Sequence, residues 1–147
     1  MPFDPNDLYS AFIITCDRVL RETSDVTSII RIVDLHEVSV MPANGVLIPI
    51  QALTVMKSRK QTKDHLFTME VVFPDGSDKP VQVAEDGKPL HVSFGSRSPE
   101  LNPLFGAQVL IQMSLLAPIP GTYYLRVMLD GQKIAETGIT LRVRQNS

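Results

Sequence analysis

The sequence has little of what usually announces a chemistry or a cellular address. It contains no tryptophan, one cysteine and only 6% aromatic residues. A lone Cys16 excludes an internal disulfide framework and thiolate-rich metal sites, and it suits a reducing compartment. It reads as a small buried hydrophobe beside Ile14. The charge balance, 14 Lys+Arg against 16 Asp+Glu for a formal net charge of −2, lacks the basic excess of nucleic-acid and anionic-membrane binders. Any binding of that kind has to be local. The two stretches poorest in charge, Val38 to Met56 and Leu101 to Leu125, are interrupted by proline, glycine, asparagine and glutamine. Neither offers the roughly 18 unbroken apolar residues of a membrane helix. The opening Met1-Pro2-Phe3-Asp4-Pro5-Asn6-Asp7 is acidic where a secretory leader is basic and then apolar. These absences predict a cytoplasmic protein with no membrane, metal or cofactor.

What is present is enough for one ordinary domain. A chain of 147 residues, 44% hydrophobic, can form a core without a disulfide or metal. At this size roughly 68–70% of the surface exposed by the unfolded chain is buried on folding. Residues 1–9 are expected to form a loosely packed arm on a single domain spanning 1–147.

Strand-like alternation runs through most of the chain. Tyr123, Leu125, Val127 and Leu129 share one face under a period of two, and the Asp130-Gly131 pair that follows supplies the positive φ angles of a type I′ hairpin. On the returning strand Ile139, Leu141 and Val143 share a face, whereas Ile134 is out of phase. A β-bulge at or next to Gly138 is the expected remedy. Phe67, Met69, Val71 and Phe73 form another face, closed by Pro74-Asp75-Gly76. Val46 to Met56 and Val109 to Ala117 are apolar on both faces, which marks a central strand or one covered by a partner. Ile29 to Val40 is a third long strand, with shorter ones at Val81 to Val83 and Leu90 to Phe94.

Residues 11–21 fit both periods, since Phe12, Cys16, Val19 and Leu20 match a helical stripe and Phe12, Ile14 and Cys16 a strand. The β-branched Ile13-Ile14-Thr15 favours the strand. Ser98-Pro99-Glu100-Leu101 carries the one credible helical turn, with an N-cap serine and proline at the first helical position. About eight or nine strands with almost no helix predict an all-β, antiparallel sandwich.

The run Pro120-Gly121-Thr122-Tyr123-Tyr124-Leu125-Arg126-Val127, with Asp130-Gly131 and a final alternating strand, resembles the last hairpin of immunoglobulin-like sandwiches. The strand carrying Cys16-Asp17-Arg18, the Ile29-to-Val38 and Ile50-to-Met56 strands and the strand closed by Pro74-Asp75-Gly76 extend the likeness. Together they resemble an uncharacterised bacterial family of small β-sandwich proteins over most of Phe12 to Val143. That resemblance implies an immunoglobulin-like fold and brings no activity or site residues with it.

Candidate chemistry is sparse. His36, His65 and His91 stand 29 and 26 positions apart, without the close spacing of a zinc motif, and read as surface or strand-boundary residues. There is no Gly-x-Ser-x-Gly elbow and no glycine-rich phosphate loop. Asp75-Gly76-Ser77-Asp78 lacks the ligand series of a calcium loop and reads as a turn. Lys57, Arg59, Lys60 and Lys63 place four positive charges within seven residues, in a segment with no acid between Glu37 and Asp64. Such a loop suits a phosphate or an acidic partner, although no aromatic residue interleaves to stack bases. Conversely, Leu101 to Leu125 holds twenty-five residues without a charge, as the centre of a lasting interface does.

Three functions are therefore expected in descending order. The first is a non-catalytic interaction or structural module that self-associates as a homo-oligomer, with Leu110 and Leu116 at the interface, or that binds another protein. The second is polyanion or nucleic-acid binding through residues 57–63. The third is an enzyme assembled from distant loops.

Overall fold

The period-two alternation resolves into ten strands in a computed structural model, which describes residues 2–21, 27–95 and 104–144. In chain order they are β1 (Leu8–Arg21), β2 (Thr27–Ile32), β3 (Leu35–Val38), β4 (Val46–Ser58) and β5 (Thr62–Val72). There follow β6 (Asp78–Val81), β7 (Leu90–Phe94), β8 (Phe105–Ala117), β9 (Gly121–Leu129) and β10 (Gln132–Val143). The expected turn at Ser98-Pro99-Glu100-Leu101 lies outside the described residues. Residues 11–21 take the strand reading.

Two sheets face each other. One has the order β2-β1-β4-β8; the other has the order β3-β10-β9-β5-β6, with β7 also pairing β5. Alternate residues point into the space between them, as the pleat requires. Ile48, Ile50 and Met56 of β4 and Ile111 and Leu115 of β8 meet Phe67, Met69, Leu125, Val127, Leu129, Ile139 and Leu141 there, all buried in one apolar cluster. The first sheet is curled: Thr27 of β2 borders the same hollow as Gln108 and Leu110 of β8, three strands further along. Its outer face is consequently concave, and Leu53 and Cys16, which point away from the main core, are still only 4% and 0% exposed.

The sandwich is not wholly antiparallel. β3 and β10 run parallel from Leu35↔Thr140 to Val38↔Val143. The predicted single strand from Ile29 to Val40 is in fact two, because Arg31 takes a positive φ of 53° and the chain then crosses from one sheet to the other between Ile32 and Leu35. That crossing delivers β3 alongside β10 in the same direction. Arg142 and Arg144 both engage the Glu37 carboxylate there, the latter at 3.2 Å, and their hydrogen bonds hold that carboxyl below its ordinary pKa.

The terminal hairpin forms through Asp130 (φ 49°) and Gly131 (φ 80°), the two positive angles of a type I′ turn, with Leu129 paired to Gln132. The phase break, however, is not at Gly138. The register shifts between Lys133 and Ala135, so Ile134 is the extra residue, and it packs partly buried against the core. Gly138 is regularly paired with Tyr124, and a Cβ there would lie 3.3 Å from Tyr124 Cε1. Glycine at this place makes room for the cross-strand ring.

Residues 1–9 were expected as a loose arm, but Phe3 is 2% exposed and belongs to the core. Behind it Pro5–Asp7 forms a 3-10 turn, opened by Asp4, whose Oδ1 accepts from the Asn6 amide at 2.9 Å.

Candidate functional site

β8 is paired with β4 along its length, from Phe105↔Ser58 to Ala117↔Val46. β4 is itself held on its other side by β1, whereas β8 ends the sheet and no described strand pairs its second edge. The two segments share a sequence signature, apolar on both faces, and only one of them is central. On β8 the inward residues Val109, Ile111, Leu115 and Ala117 are buried, while Leu110 and Leu116 on the other face are 46% and 51% exposed.

From Leu110 to Leu116 this edge, which no described strand pairs, borders a groove of about 800 Å³. One wall is β8 from Leu110 to Leu116; the other is the segment Lys79 to Glu85, with Val71 and Phe73 between them. Lys79 Nζ lies 5.6 Å from the centre of the Phe73 ring. On the concave outer face, Ile14, Leu53 and Leu110 form one cross-strand row, so the exposed Leu110 continues an apolar surface that is already buried at Leu53. Cys16 lies nearby with its thiol donating to the Gln51 carbonyl at 3.5 Å, and burial pushes its pKa up, which makes it an inert thiol.

The basic loop is bound to its own chain. Arg59 Nη1 donates to the carbonyl oxygens of Leu8 at 2.9 Å and Asn6 at 3.2 Å, and its guanidinium lies 5.4 Å from the Tyr9 ring centre. Lys60 Nζ sits 3.5 Å from Asp7 Oδ1. Lys57 and Lys63 stand at the adjoining ends of β4 and β5, Lys57 half-buried and Lys63 exposed.

The three histidines occupy three different strands, β3, β5 and β7. His65 and His91 lie on neighbouring strands, yet His65 is 2% exposed and His91 faces solvent. His65 is thus a core residue and not a strand-boundary one. Its Nδ1 meets Asp130 Oδ2 at 2.7 Å, and its ring lies edge-on to Phe3 with centroids 5.2 Å apart. Asp130 also accepts from the Leu66 amide at 2.9 Å and the Phe3 amide at 2.6 Å. Burial pushes the Asp130 carboxyl up, but the bonds from His65, Leu66 and Phe3 together outweigh it and hold the pKa below the ordinary carboxylate value. A signal for this cluster was present: His65 is in phase with Phe67, Met69 and Val71, so the same alternation carries it inward. Among the described residues no three His, Cys, Asp or Glu side chains are grouped to hold a metal ion, and no helix is long and apolar enough to cross a membrane.

No family model matches the chain, and no curated protein matches it. Among solved structures it is similar to the Pseudomonas fluorescens alkylpurine DNA glycosylase AlkC bound to DNA containing an abasic site analog, with a TM-score of 0.47 and 11% identity. The match covers 93% of this chain and 30% of that one.

Proposed function

We propose that the protein is a non-catalytic interaction module, built on an immunoglobulin-like sandwich, that self-associates through the outer edge of β8 from Val109 to Ala117. One observation carries the reading: β8 has the two-sided apolar sequence of a central strand and occupies an edge. An unpaired edge presents a row of amide and carbonyl groups ready for another chain, and proteins that stay monomeric usually guard it with charge, proline or a bulge. Val109 to Ala117 has none of these. The immunoglobulin-like element is supported by the corner before β9, where the Tyr123 hydroxyl donates to the Ile119 carbonyl at 2.6 Å and accepts from the Ile119 amide at 3.2 Å.

Polyanion binding through Lys57, Arg59, Lys60 and Lys63 is the lesser reading, because Arg59 and Lys60 already serve the N-terminal segment. An enzyme is less favoured still, since the histidines do not converge and His65 is enclosed by Phe3 and Phe94. The test is light scattering on the wild type up to high micromolar concentration. The expected mass exceeds one chain, and Leu116→Glu gives a folded monomer by circular dichroism. A wild-type monomer throughout that range overturns the proposal.

A further inference from the structure

The edge of β8 has a symmetry of its own. About Met113 the residues mirror one another by chemistry: Gln112 against Ser114, Ile111 against Leu115, Leu110 against Leu116, and Val109 against Ala117. The mirror also respects the faces of the strand, since Leu110, Gln112, Ser114 and Leu116 are exposed and Val109, Ile111, Leu115 and Ala117 are buried. Such a pattern is what antiparallel pairing of two identical strands needs. With a two-fold axis through one residue, each position k before the axis meets the position k after it on the other chain. A charge near the axis would face its own copy or require an opposite charge at the mirrored place. The sequence from Leu101 to Leu125 has none of either sign.

Resting on the self-association proposed above, we infer that the partner is a second copy of this chain, whose β8 pairs antiparallel with β8 about a two-fold axis at Met113. Leu110 then lies opposite the partner copy's Leu116, and Gln112 opposite its Ser114, so an apolar pair brackets a hydrogen-bonding pair on each side of the axis. The groove beside Leu110 to Leu116 receives the incoming strand. The two four-stranded sheets become one continuous sheet of eight, which leaves neither β8 edge open and closes the assembly at two chains.

Cysteine cross-linking reads the register. Residues directly opposite in an antiparallel ladder have Cα atoms about 4.5 or 5.5 Å apart, both within the span of a disulfide. Met113→Cys is therefore expected to give a covalent dimer under mild oxidation. Gln112→Cys alone gives none, and a mixture of Gln112→Cys with Ser114→Cys gives the mixed dimer. The wild type, whose Cys16 is buried, is the control. Charge supplies a second readout should any cysteine variant fold poorly. Leu110→Glu and Leu116→Lys each weaken association by about 100-fold by burying an unpaired charge. The double variant regains it, because each introduced acid then faces the other copy's introduced base. If the wild type associates but Met113→Cys does not cross-link and the double variant stays monomeric, the register is wrong while self-association stands. A monomeric wild type overturns both.

Discussion

Asp130 shows how one residue can serve a turn and a core together. Its positive φ starts the β9–β10 hairpin, and its carboxylate ties the Phe3 amide, the Leu66 amide and the buried His65 ring to the same point. Asparagine tolerates the same backbone angle, so Asp130→Asn isolates the charge from the turn. We expect it to cost about 1–3 kcal/mol at neutral pH, the scale of hydrogen bonds to a charged acceptor. The sign with pH follows from a folded pKa below the unfolded one. The carboxylate's contribution is fully present above the unfolded value of about 3.9 and is lost as pH falls through the lower folded value. Urea midpoints measured from neutral pH to below pH 4 are thus expected to fall less steeply in the variant than in the wild type. Parallel acid limbs at equal stability would remove Asp130 from this role. The sequence made the turn legible through Asp130-Gly131, but the carboxylate's partners lie 64, 65 and 127 positions away and no local pattern encodes them.

At the scale of elements, what could be read from the sequence depended on whether the determinant was local. The inward face of Tyr123, Leu125, Val127 and Leu129 followed from period two alone, and all four are fully buried. The phase break between Ile134 and Ile139 requires one residue to be absorbed but does not say where. The structure absorbs it at Ile134, opposite Met128 and Val127, and keeps Gly138 in register with Tyr124. The parallel β3–β10 pair joins segments about a hundred positions apart, with only a crossing of the chain to determine it. Glycine's positive φ is likewise a local fact, whereas its neighbours are not, and two glycines separate these effects. Gly76 (φ 88°) has open space at its Cβ position, while a Cβ on Gly121 (φ 138°) would stand 2.7 Å from Cγ of Pro74. Gly76→Ala is expected to cost about 1–2 kcal/mol, from backbone strain alone. Gly121→Ala adds a collision with a stiff ring and is expected to cost about 1–3 kcal/mol more, by analogy with overpacked cores. Chemical denaturation of both variants makes the comparison, and equal losses would mean that the Gly121–Pro74 contact constrains nothing.

For the whole molecule, the protection of the outer strands is uneven. β6 carries Asp78, Lys79 and Pro80, β3 carries Glu37 with its two arginines, β2 is kinked at Arg31, and β7, which pairs only β5, is only five residues long; β8 from Val109 to Ala117 has no such guard. The sequence marked β8 as unusual through its missing charges, yet the same signature in β4 belongs to a strand covered on both sides, so only the sheet order separates the two. The consequence reaches the thermodynamics of folding. A chain that associates only when folded gains apparent stability by mass action, so the thermal midpoint is expected to rise with protein concentration. Because no charge lies along the edge, that rise is expected to persist in added salt, unlike polyanion binding by Lys57 and Lys63, which salt weakens. Leu116→Glu is expected to flatten the dependence while leaving the dilute midpoint close to that of the wild type, since the side chain is half exposed in a single copy. Leu125→Ala should do the reverse: it empties a fully buried site, costs about 2–5 kcal/mol at every concentration, and keeps the slope. Calorimetry over about a hundredfold range of concentration separates the two patterns, and a flat wild-type midpoint would leave the outer edge of β8 without a partner in solution.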